Sequence, residues 1–295
     1  MDRFDAMRVF TRVVERRSFS LAADDLGLPR STATDAVKGL EARLGVRLLE
    51  RTTRTVRPTL DGEAHYRRCL SLISDLEDAE GAFGGARPKG LLRLEVQGTL
   101  ARHFLLPNLP GFLAEYPEIV ITMSESDRWI DLIREGVDCV LRFGEVRDSD
   151  MIARRVVMLD RLTCATPDYF ARFGTPTDPL ALDGHRMIGI RSLTTGRLRP
   201  MEFVIDGALK EFPLPAPMSV TGPESYLATA KLGLGLVQVP RFHAEADLAQ
   251  GTLVEVLQHC RPPPVPVHLL YPSNRQLSPR VRVFIDYVMR AFGRN

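Results

Sequence analysis

The stretch 18-SFSLAADDLGLPRSTATDAVKGLEARLGVRLLERTTRTVRPTL-60 decides the fold of the N-terminal part of this chain. It predicts a short helix over 20–26, ended by Gly27, and a second helix that begins near Ser31 and is capped by its hydroxyl. Apolar residues recur in the second helix at the helical period, at Ala33, Val37, Leu40 and Leu44. Two short helices joined by a turn that contains glycine predict a helix-turn-helix.

Segments on either side complete this N-terminal head. Upstream, an amphipathic helix is predicted over 5–17, because apolar residues share one face there: Met7, Phe10, Val13 and Val14. Downstream, residues 45–58 alternate in the manner of short strands and predict a two-stranded wing with Thr52-Thr53 near its tip. The wing is basic, since it contains Arg47, Arg51, Arg54 and Arg57.

A long helix is predicted after the wing. Thr59 can cap it, Asp61 and Glu63 suit the positive end of its dipole, and the pattern runs to about Phe83. A narrow apolar stripe on this helix suits pairing with the same helix of a second subunit; it consists of Tyr66, Cys69, Ile73, Leu76 and Phe83. Glycines and a proline at 84–88 end the helix.

Composition limits the class of protein. The chain has 295 residues, of which 44% are apolar and 26% charged, as expected of a soluble globular protein with about two domains. We expect a cytoplasmic protein without membrane contact, because no apolar run reaches the ~18 residues of a membrane span and the charged N-terminus lacks a secretory signal. The four cysteines are isolated, so neither a disulfide framework nor a metal site is expected, while a redox-sensing pair stays open.

From Gly90 onward, strand-like and helix-like runs alternate. This pattern predicts an α/β domain with largely parallel sheets, long enough to form two lobes with a cleft between them. The predicted strands are 91–96, 119–123, 137–142, 152–165, 187–190, 201–205, 234–239, 253–256 and 265–271, and the predicted helices are 102–116, 128–136, 167–173, 223–232 and 279–292. Positive charge is concentrated in the first 60 residues, whereas the rest is slightly acidic, which favours a nucleic-acid-binding head.

Many residues of the head keep one order and spacing: Phe10, Val13, Ser18-Phe19-Ser20, Ala22-Ala23, Leu26-Gly27-Leu28, Ser31, Thr34, Val37, Leu40-Glu41, Leu44-Gly45, Leu48-Leu49, Arg51-Thr52, Arg54, Pro58-Thr59-Leu60 and Gly62. In these residues the chain resembles the LysR-type transcriptional regulators. The resemblance implies a winged helix-turn-helix head over 1–59, a linker helix and hinge over 60–89, and an effector-binding domain over 90–295. That domain would be similar to periplasmic solute-binding proteins, with lobe I at about 90–162 and 267–295 and lobe II at about 163–266. Homodimers that assemble further, into tetramers or higher oligomers, are also implied.

The third helix supplies the first candidate DNA contacts. Its period brings four polar residues to the face opposite the apolar set: Ser31, Thr34, Asp35 and Lys38. The hydroxyls and Lys38 can bind phosphates or base edges, and Asp35 can accept from the amino group of cytosine. Asp35 and Thr32-Ala33 depart from the residues common in the family, so the DNA site does not carry over from it. A solvated helix face is the alternative.

Arginines supply the remaining DNA candidates. Arg30 can hold a phosphate, and Arg51, Arg54 and Arg57 suit the backbone or the minor groove. Arg51 and Arg54 can instead pair with Glu50 or cap a helix.

Effector candidates lie where strands end. By resemblance, Thr99 and Leu100 after the first strand are the best of them. Others at strand ends and a helix start are Ser124, Ser126, Arg142, Phe143, Thr163, Arg191, Ser192, Glu224 and Ser225. Arg142 and Arg191 can clamp a carboxylate or form structural ion pairs, and with Thr99 they favour a small effector that bears a carboxylate.

The sequence therefore predicts a sequence-specific DNA-binding transcription regulator controlled by a small-molecule effector, with double-stranded DNA and RNA polymerase as partners and no cofactor. The glycines in Gly233-Leu234-Gly235 follow a helix and lack the third glycine of a dinucleotide loop, so they predict a turn. One alternative is a constitutive DNA-binding regulator whose cleft is filled by its own side chains. The other is an enzyme that uses the α/β lobes, for which no G-x-S-x-G, H-E-x-x-H or Walker sequence is present.

Overall fold

The N-terminal head of the computed structural model consists of three helices, a β-hairpin and a long helix. The structure describes residues 1–51, 56–81, 87–125, 136–144, 151–193, 195–273 and 277–293. The elements of the head and linker are α1 (Arg3–Arg16), α2 (Phe19–Asp25), α3 (Arg30–Leu44), β1 (Leu49–Arg51), β2 (Val56–Pro58) and α4 (Leu60–Gly81). Strands β1 and β2 pair in antiparallel fashion, which is the expected wing; its tip at Thr52-Thr53 lies outside the described residues.

The helix-turn-helix forms around a small apolar core. Phe10 and Val13 from α1 pack with Ala22 from α2 and Val37 from α3. Gly27 turns the chain at a φ of 64°, in the left-handed region that favours glycine. One expectation is wrong: α3 begins at Arg30 after the N-cap Pro29, and no side chain caps it. The ring of Pro29 fixes φ at about −65°, a value compatible with the residue just before a helix. Because the helix then begins at Arg30, Ser31 lies inside its first turn and cannot be the N-cap residue.

Helix α4 begins as predicted. The Thr59 hydroxyl accepts a hydrogen bond from the Gly62 amide at 2.9 Å and donates one to the Arg47 carbonyl at 2.7 Å. The helix then packs on the head of its own chain, where Cys69 is fully buried and Tyr66 donates to Glu15 at 3.3 Å. These two residues of the predicted dimer stripe therefore face their own head, because the stripe also covers the open side of the α1 core.

Lobe I is built on a five-stranded sheet in the order β4-β3-β5-β14-β6. Its strands are β3 (Gly90–Val96), β4 (Ile119–Glu125), β5 (Cys139–Phe143), β6 (Met151–Leu159) and β14 (Val265–Pro272). Its helices are α5 (Gly98–Leu100), α6 (Leu109–Glu115) and α10 (Pro279–Phe292), with a π-helical turn and a 3-10 turn over Ala101–Asn108 between α5 and α6. Helix α10 buries Phe284 and Val288 against the sheet. The last strand and helix of the chain thus complete a lobe that begins near residue 90.

Lobe II contains the strands between β6 and β14, where the chain leaves lobe I and later returns to it. Its strands are β7 (Arg161–Ala165), β8 (Gly189–Ile190), β9 (Met201–Ile205), β10 (Ala208–Phe212), β11 (Ser219–Val220), β12 (Val237–Pro240) and β13 (Val254–Val256). Its helices are α7 (Pro167–Phe173), α8 (Pro223–Ala230) and α9 (Arg241–Ala249). A three-stranded sheet has the order β12-β7-β13, β8 pairs with β11, and β9 with β10.

The sheets are less parallel than expected. Among the described strands of the two lobes, β3 pairs in parallel with β4 and β5, and β8 with β11; the other strand pairs are antiparallel. An isolated bridge between Met187 and Leu236 is also parallel. An apolar run has the same composition whether its strand pairs in a parallel or an antiparallel direction. The sequence therefore carries no signal for the direction of pairing. The single strand predicted over 152–165 is two strands, because the chain passes from lobe I to lobe II at Asp160. Strand β9 was predicted at 201–205, but its hairpin partner β10, strand β11 and helix α9 were not. The helix expected at 128–136 lies outside the described residues apart from Gly136.

No helix in the described part of the chain combines the length and apolar character that a bilayer crossing requires.

Candidate DNA interface and interlobe cleft

The outer face of α3 carries three of the four predicted polar side chains in the open. Ser31, Asp35 and Lys38 are exposed, whereas Ala33 and Val37 are buried on the opposite face. Thr34 is half-buried, and its hydroxyl donates to the Arg30 carbonyl at 2.9 Å. The face therefore offers a carboxylate, an ammonium group and an exposed hydroxyl to a partner.

Exposed arginines flank this face. Arg30 is the first residue of α3, and Arg57 lies on β2 opposite Glu50 of β1. Both arginines are exposed. Arg51 ends β1, but its side chain and all of Arg54 lie outside the described residues. The described part of the head thus presents basic groups at the start of α3 and on the second wing strand.

Glu41 fixes the wing relative to α3. Its carboxylate oxygen Oε1 accepts hydrogen bonds from the backbone amides of Leu48, at 2.8 Å, and Leu49, at 3.1 Å. Both leucines are buried, so the carboxylate satisfies amides that water does not reach. Sequence reasoning identified Glu41 only as a residue of the resemblance and assigned it no role.

A cleft of about 240 Å³ separates the two lobes. Lobe I contributes Phe143, and lobe II contributes most of the remaining wall. Four of the predicted effector residues line it: Arg142, Phe143, Arg191 and Ser192. Lining residues that sequence reasoning missed include Gln97, Arg161, Arg199, Tyr226, Gln238 and His243.

The two residues that the sequence favoured most as effector contacts do not line the cleft. Thr99 and Leu100 are buried, at 1% and 0% exposure, and neither lines the cavity. The Thr99 hydroxyl makes no hydrogen bond with the described residues. Leu100 packs in the core of lobe I and Thr99 is buried beside it on α5, so the effector contacts expected of both stay a prediction.

Four further candidates are engaged elsewhere or face away. Ser124 hydrogen-bonds Glu95 and the Leu94 carbonyl, and Thr163 accepts from the Gln238 amide at 3.1 Å. Glu224 forms an ion pair with Arg102, and Ser225 is exposed outside the cavity wall. Ser126 lies outside the described residues. Side-chain direction at a strand end follows the local pleat and tertiary contacts, which the position along the chain does not give.

The lobes are joined along one side of the cleft by a mixed polar and aromatic contact. Arg102 of lobe I donates to Glu224 of lobe II at 2.8 Å, and the same carboxylate lies 3.4 Å from Nε2 of His243. Phe242 of lobe II inserts against Phe104 of lobe I, with ring centroids 4.8 Å apart. Burial lowers the pKa of His243 below its ordinary value, although Glu224 opposes the shift, so the imidazole is neutral at pH 7.

The four cysteines lie in the interior of the molecule. All four are buried and free of disulfides, and burial raises the pKa of Cys69 and of Cys164 to about 12. These thiols stay protonated and unreactive at neutral pH. No cluster of metal-binding side chains occurs among the residues that the structure describes.

Two family models match the chain. The model described as "Bacterial regulatory helix-turn-helix protein, lysR family" matches residues 4–63, and the one described as "LysR substrate binding domain" matches residues 85–293. The first covers the three-helix head and wing, and the second covers both lobes and the cleft.

Proteins similar over the full length include regulators from two bacteria. An uncharacterized HTH-type transcriptional regulator of Escherichia coli, YhjC, is 35% identical over 98% of this chain and 97% of its own length. An HTH-type transcriptional repressor of Pseudomonas aeruginosa is 36% identical over 100% of this chain and 94% of its own length. Among solved structures, CrgA, a LysR-type transcriptional regulator from Neisseria meningitidis, matches with a TM-score of 0.63, 30% identity and 98% coverage of both chains.

Proposed function

The chain belongs to the LysR family and is a DNA-binding transcription regulator, and from this premise we propose that an effector in the interlobe cleft controls how its heads hold DNA. The observation that carries the proposal is the cleft itself, which is open and lined from both lobes. An open cleft disfavours the constitutive alternative, which requires one filled by the chain's own side chains. The relatives are named as regulators, which disfavours the enzyme alternative.

The head reads DNA through α3 and positions itself through its arginines. In this proposal, Lys38 and Asp35 face base edges in the major groove, and Asp35 accepts from a cytosine amino group. Phosphates are bound from the ends of α3 and from the wing, where a helix N-terminus and guanidinium groups favour anions. The full set of DNA contacts that we propose is Arg30, Ser31, Thr34, Asp35, Lys38, Arg51, Arg54 and Arg57.

Two heads bind two half-sites when α4 pairs with α4 of a second subunit. Leu72 and Leu76 support this pairing, since they are 45% and 39% exposed on a helix of the isolated chain. Ile73 is half-buried beside them, and Phe83 lies outside the described residues. We place the head at 1–59, the linker at 60–89 and the effector domain at 90–295. Assembly beyond the dimer and contact with RNA polymerase belong to the same proposal.

Coupling follows from where an effector would lie. A ligand that contacts both lobes binds one relative arrangement of them more tightly and shifts the population toward it. Because the lobes are fused to α4, a change in their arrangement alters the spacing of paired heads. The contact with DNA then changes without any change in the residues of the head.

The experiment selects bound fragments from the genomic DNA of the source organism and compares the parent protein with Asp35→Ala. If Asp35 reads cytosine, the variant relaxes preference at one base pair by about 1–3 kcal/mol. Lys210→Ala, on the exposed hairpin of lobe II, should select the same sites as the parent. Identical sites for Asp35→Ala would remove Asp35 from the interface, and failure of the parent to enrich any sequence would contradict the proposal.

A further inference from the structure

Four ionisable side chains meet where the two lobes touch beside the cleft. Lobe I contributes Arg102 and His103 from the turn after α5, and lobe II contributes Glu224 from α8 and His243 from α9. Arg102 donates to Glu224 at 2.8 Å across the lobe boundary. The rings of His103 and His243 face each other across the same boundary, with centroids 5.8 Å apart. We call these four residues the interlobe cluster.

Glu224 uses only one of its two carboxylate oxygens. Oε2 accepts from Arg102, whereas Oε1 is buried and accepts no hydrogen bond from the described residues. Nε2 of the buried His243 lies 3.4 Å from Oε1. Protonation of His243 supplies the missing donor, because both ring nitrogens of an imidazolium carry a hydrogen. A proton on His243 therefore forms an ion pair inside lobe II.

Other charged groups near His243 do not offset this effect. Glu224 is the described acidic group whose charge acts on His243. The remaining charged groups of α9 pair with other residues or are exposed: Arg241 with Glu255, Asp247 with Lys231, and Glu245. His243 also faces the cleft, where the other ionisable groups of the described wall are Arg142, Arg161, Arg191, Arg199 and Tyr226. Burial raises the pKa of Tyr226 to about 12, so it stays neutral.

The charge balance across the lobe boundary depends on the two histidines. Burial lowers the pKa of His103 and of His243, so both are neutral at pH 7. Lobe I then presents the positive Arg102 to the negative Glu224 of lobe II. When both imidazoles are protonated, lobe I presents two positive charges, and His243 balances Glu224 from within lobe II. The attraction between the lobes is lost, and two like charges face each other instead.

Aromatic contacts beside the cluster do not titrate. Phe242 of lobe II packs against Phe104 of lobe I, with centroids 4.8 Å apart, and against Phe143 at 6.3 Å. These contacts persist at any pH, and the chain itself connects the lobes twice. Loss of the attraction at the cluster should therefore widen the angle between the lobes without detaching them.

We propose that the interlobe cluster is a pH-sensitive latch, which holds the lobes together at neutral pH and releases them in mild acid. The inference goes beyond the function proposed above, because the arrangement of the lobes responds to protons without any effector. A consequence for DNA follows only if that function holds, since it requires that the lobes control the spacing of the heads.

The test measures an interlobe distance in the full-length protein by double electron–electron resonance. Spin labels are attached to Asn108→Cys on lobe I and Ala249→Cys on α9, since both positions are exposed and the four native cysteines are buried. Labelled protein is diluted with unlabelled protein, so that only distances within one subunit are recorded. The pH is lowered from 8.0 to the lowest value at which circular dichroism shows a folded chain. The distance should lengthen by about 2 Å or more, as in other domain rearrangements. An unchanged or shorter distance overturns the proposal.

Substitutions assign the response to the cluster. His243→Gln cannot take up a proton and should lose about half of the acid response or more, with His103 left to titrate. Arg102→Gln breaks the ion pair at every pH, so its distance at pH 8.0 should already exceed that of the parent. His185→Gln is the matched control, because His185 is a buried histidine of lobe II with a lowered pKa whose described polar partner is Tyr169 of the same lobe. It should respond like the parent.

Two results with these variants contradict the latch. One is a full acid response in His243→Gln, and the other is an equal loss of response in His185→Gln. Arg102→Gln keeps the test decisive if His243→Gln does not fold, because the Arg102 side chain is 62% exposed and a parental distance at pH 8.0 in this variant also overturns the proposal.

Footprints on a selected DNA site separate this inference from the proposed function. If the distance lengthens in acid and the footprint stays the same, the latch stands and the control of the heads by the lobes fails. If the footprint changes with pH while the distance does not, the latch is overturned.

Discussion

The backbone of Gly62 in α4 lies so close to Leu48 that a Cβ atom on Gly62 would be 1.9 Å from the Leu48 carbonyl oxygen. The same carbonyl accepts a hydrogen bond from the Thr59 amide at 3.0 Å. The base of the wing and the first turn of the linker helix are therefore joined backbone to backbone, with no side chain between them. This contact fixes the direction in which α4 leaves the head.

Gly62→Ala should consequently destabilise the head. Because the clashing atom is a backbone oxygen, neither partner can rotate away, and overpacking of this kind costs about 1–3 kcal/mol. Gly39→Ala is the control: Gly39 is a helical residue of α3 with nothing within 4 Å of an added Cβ, and this variant should gain up to about 1 kcal/mol. Hydrogen exchange of α1 and α3 amides measures both. Unchanged protection in Gly62→Ala would show that the close approach is not present in solution.

Glu41→Ala should loosen the wing. The substitution leaves the buried amides of Leu48 and Leu49 without their acceptor, which costs about 2 kcal/mol when the acceptor is charged. DNA affinity should fall with it, although Glu41 contacts no DNA in our proposal. Glu41→Gln keeps an oxygen at this position and should lose less on both counts. Equal losses in the two variants, measured by urea unfolding and fluorescence anisotropy on a selected site, would argue that the charge matters and the geometry does not.

Acidification below pH 6.5 should lower stability. Burial lowers the pKa of four histidines in the folded protein: His65, His103, His185 and His243. Between the lowered pKa values and the ordinary 6.5, the unfolded chain binds more protons than the folded one, so stability falls as pH decreases through that window. Thermal unfolding between pH 8.0 and 5.5 should show a falling midpoint, with a smaller fall in His243→Gln. A midpoint that rises on acidification would contradict this direction.

Ile73→Asp combined with Leu76→Asp should separate paired subunits. Two carboxylates would be forced into an apolar seam, where unpaired charges are costly. Ala64→Asp provides the control, since Ala64 is an exposed residue earlier on α4. Analytical ultracentrifugation should show smaller particles only for the double variant, and its DNA binding should lose cooperativity. If both variants sediment like the parent, subunits do not pair through this helix.

The parts of the fold that could be predicted depend on local signals. The turn at Gly27 and the cap at Thr59 are set by residues within a few positions of each other, and the structure contains both. The cap expected at Ser31 was wrong because α3 already begins at Arg30 and its N-cap residue is Pro29, which makes no side-chain hydrogen bond. The prediction of largely parallel sheets in the lobes was also wrong in part. The direction in which two strands pair depends on the connection that brings the second strand beside the first, and not on the composition of either strand.

Residues that line the cleft could be predicted only where the predicted end of a strand forms part of the cavity wall. Arg142 and Arg191 were identified in this way, and the structure brings both to the cavity. Arg199 was not predicted, because it lies in a loop without a sequence motif. It is brought to the cavity where the loop returns toward β8 and the Arg199 amide donates a hydrogen bond to the Ile190 carbonyl. Thr99 was expected to contact the effector, but the structure buries it in the short helix after β3, outside the cavity wall. Contacts between residues distant in sequence decide both outcomes.

The order of strands in lobe I has a consequence for synthesis. Strand β14 pairs with both β5 and β6, and it begins only at Val265. When lobe II has left the ribosome, β6 still lacks its neighbour, and α10 has not covered the sheet. Lobe II therefore completes its strands first, although it comes second along the chain, and a ribosome that stops before Val265 releases a product with a finished lobe II and an open, aggregation-prone lobe I.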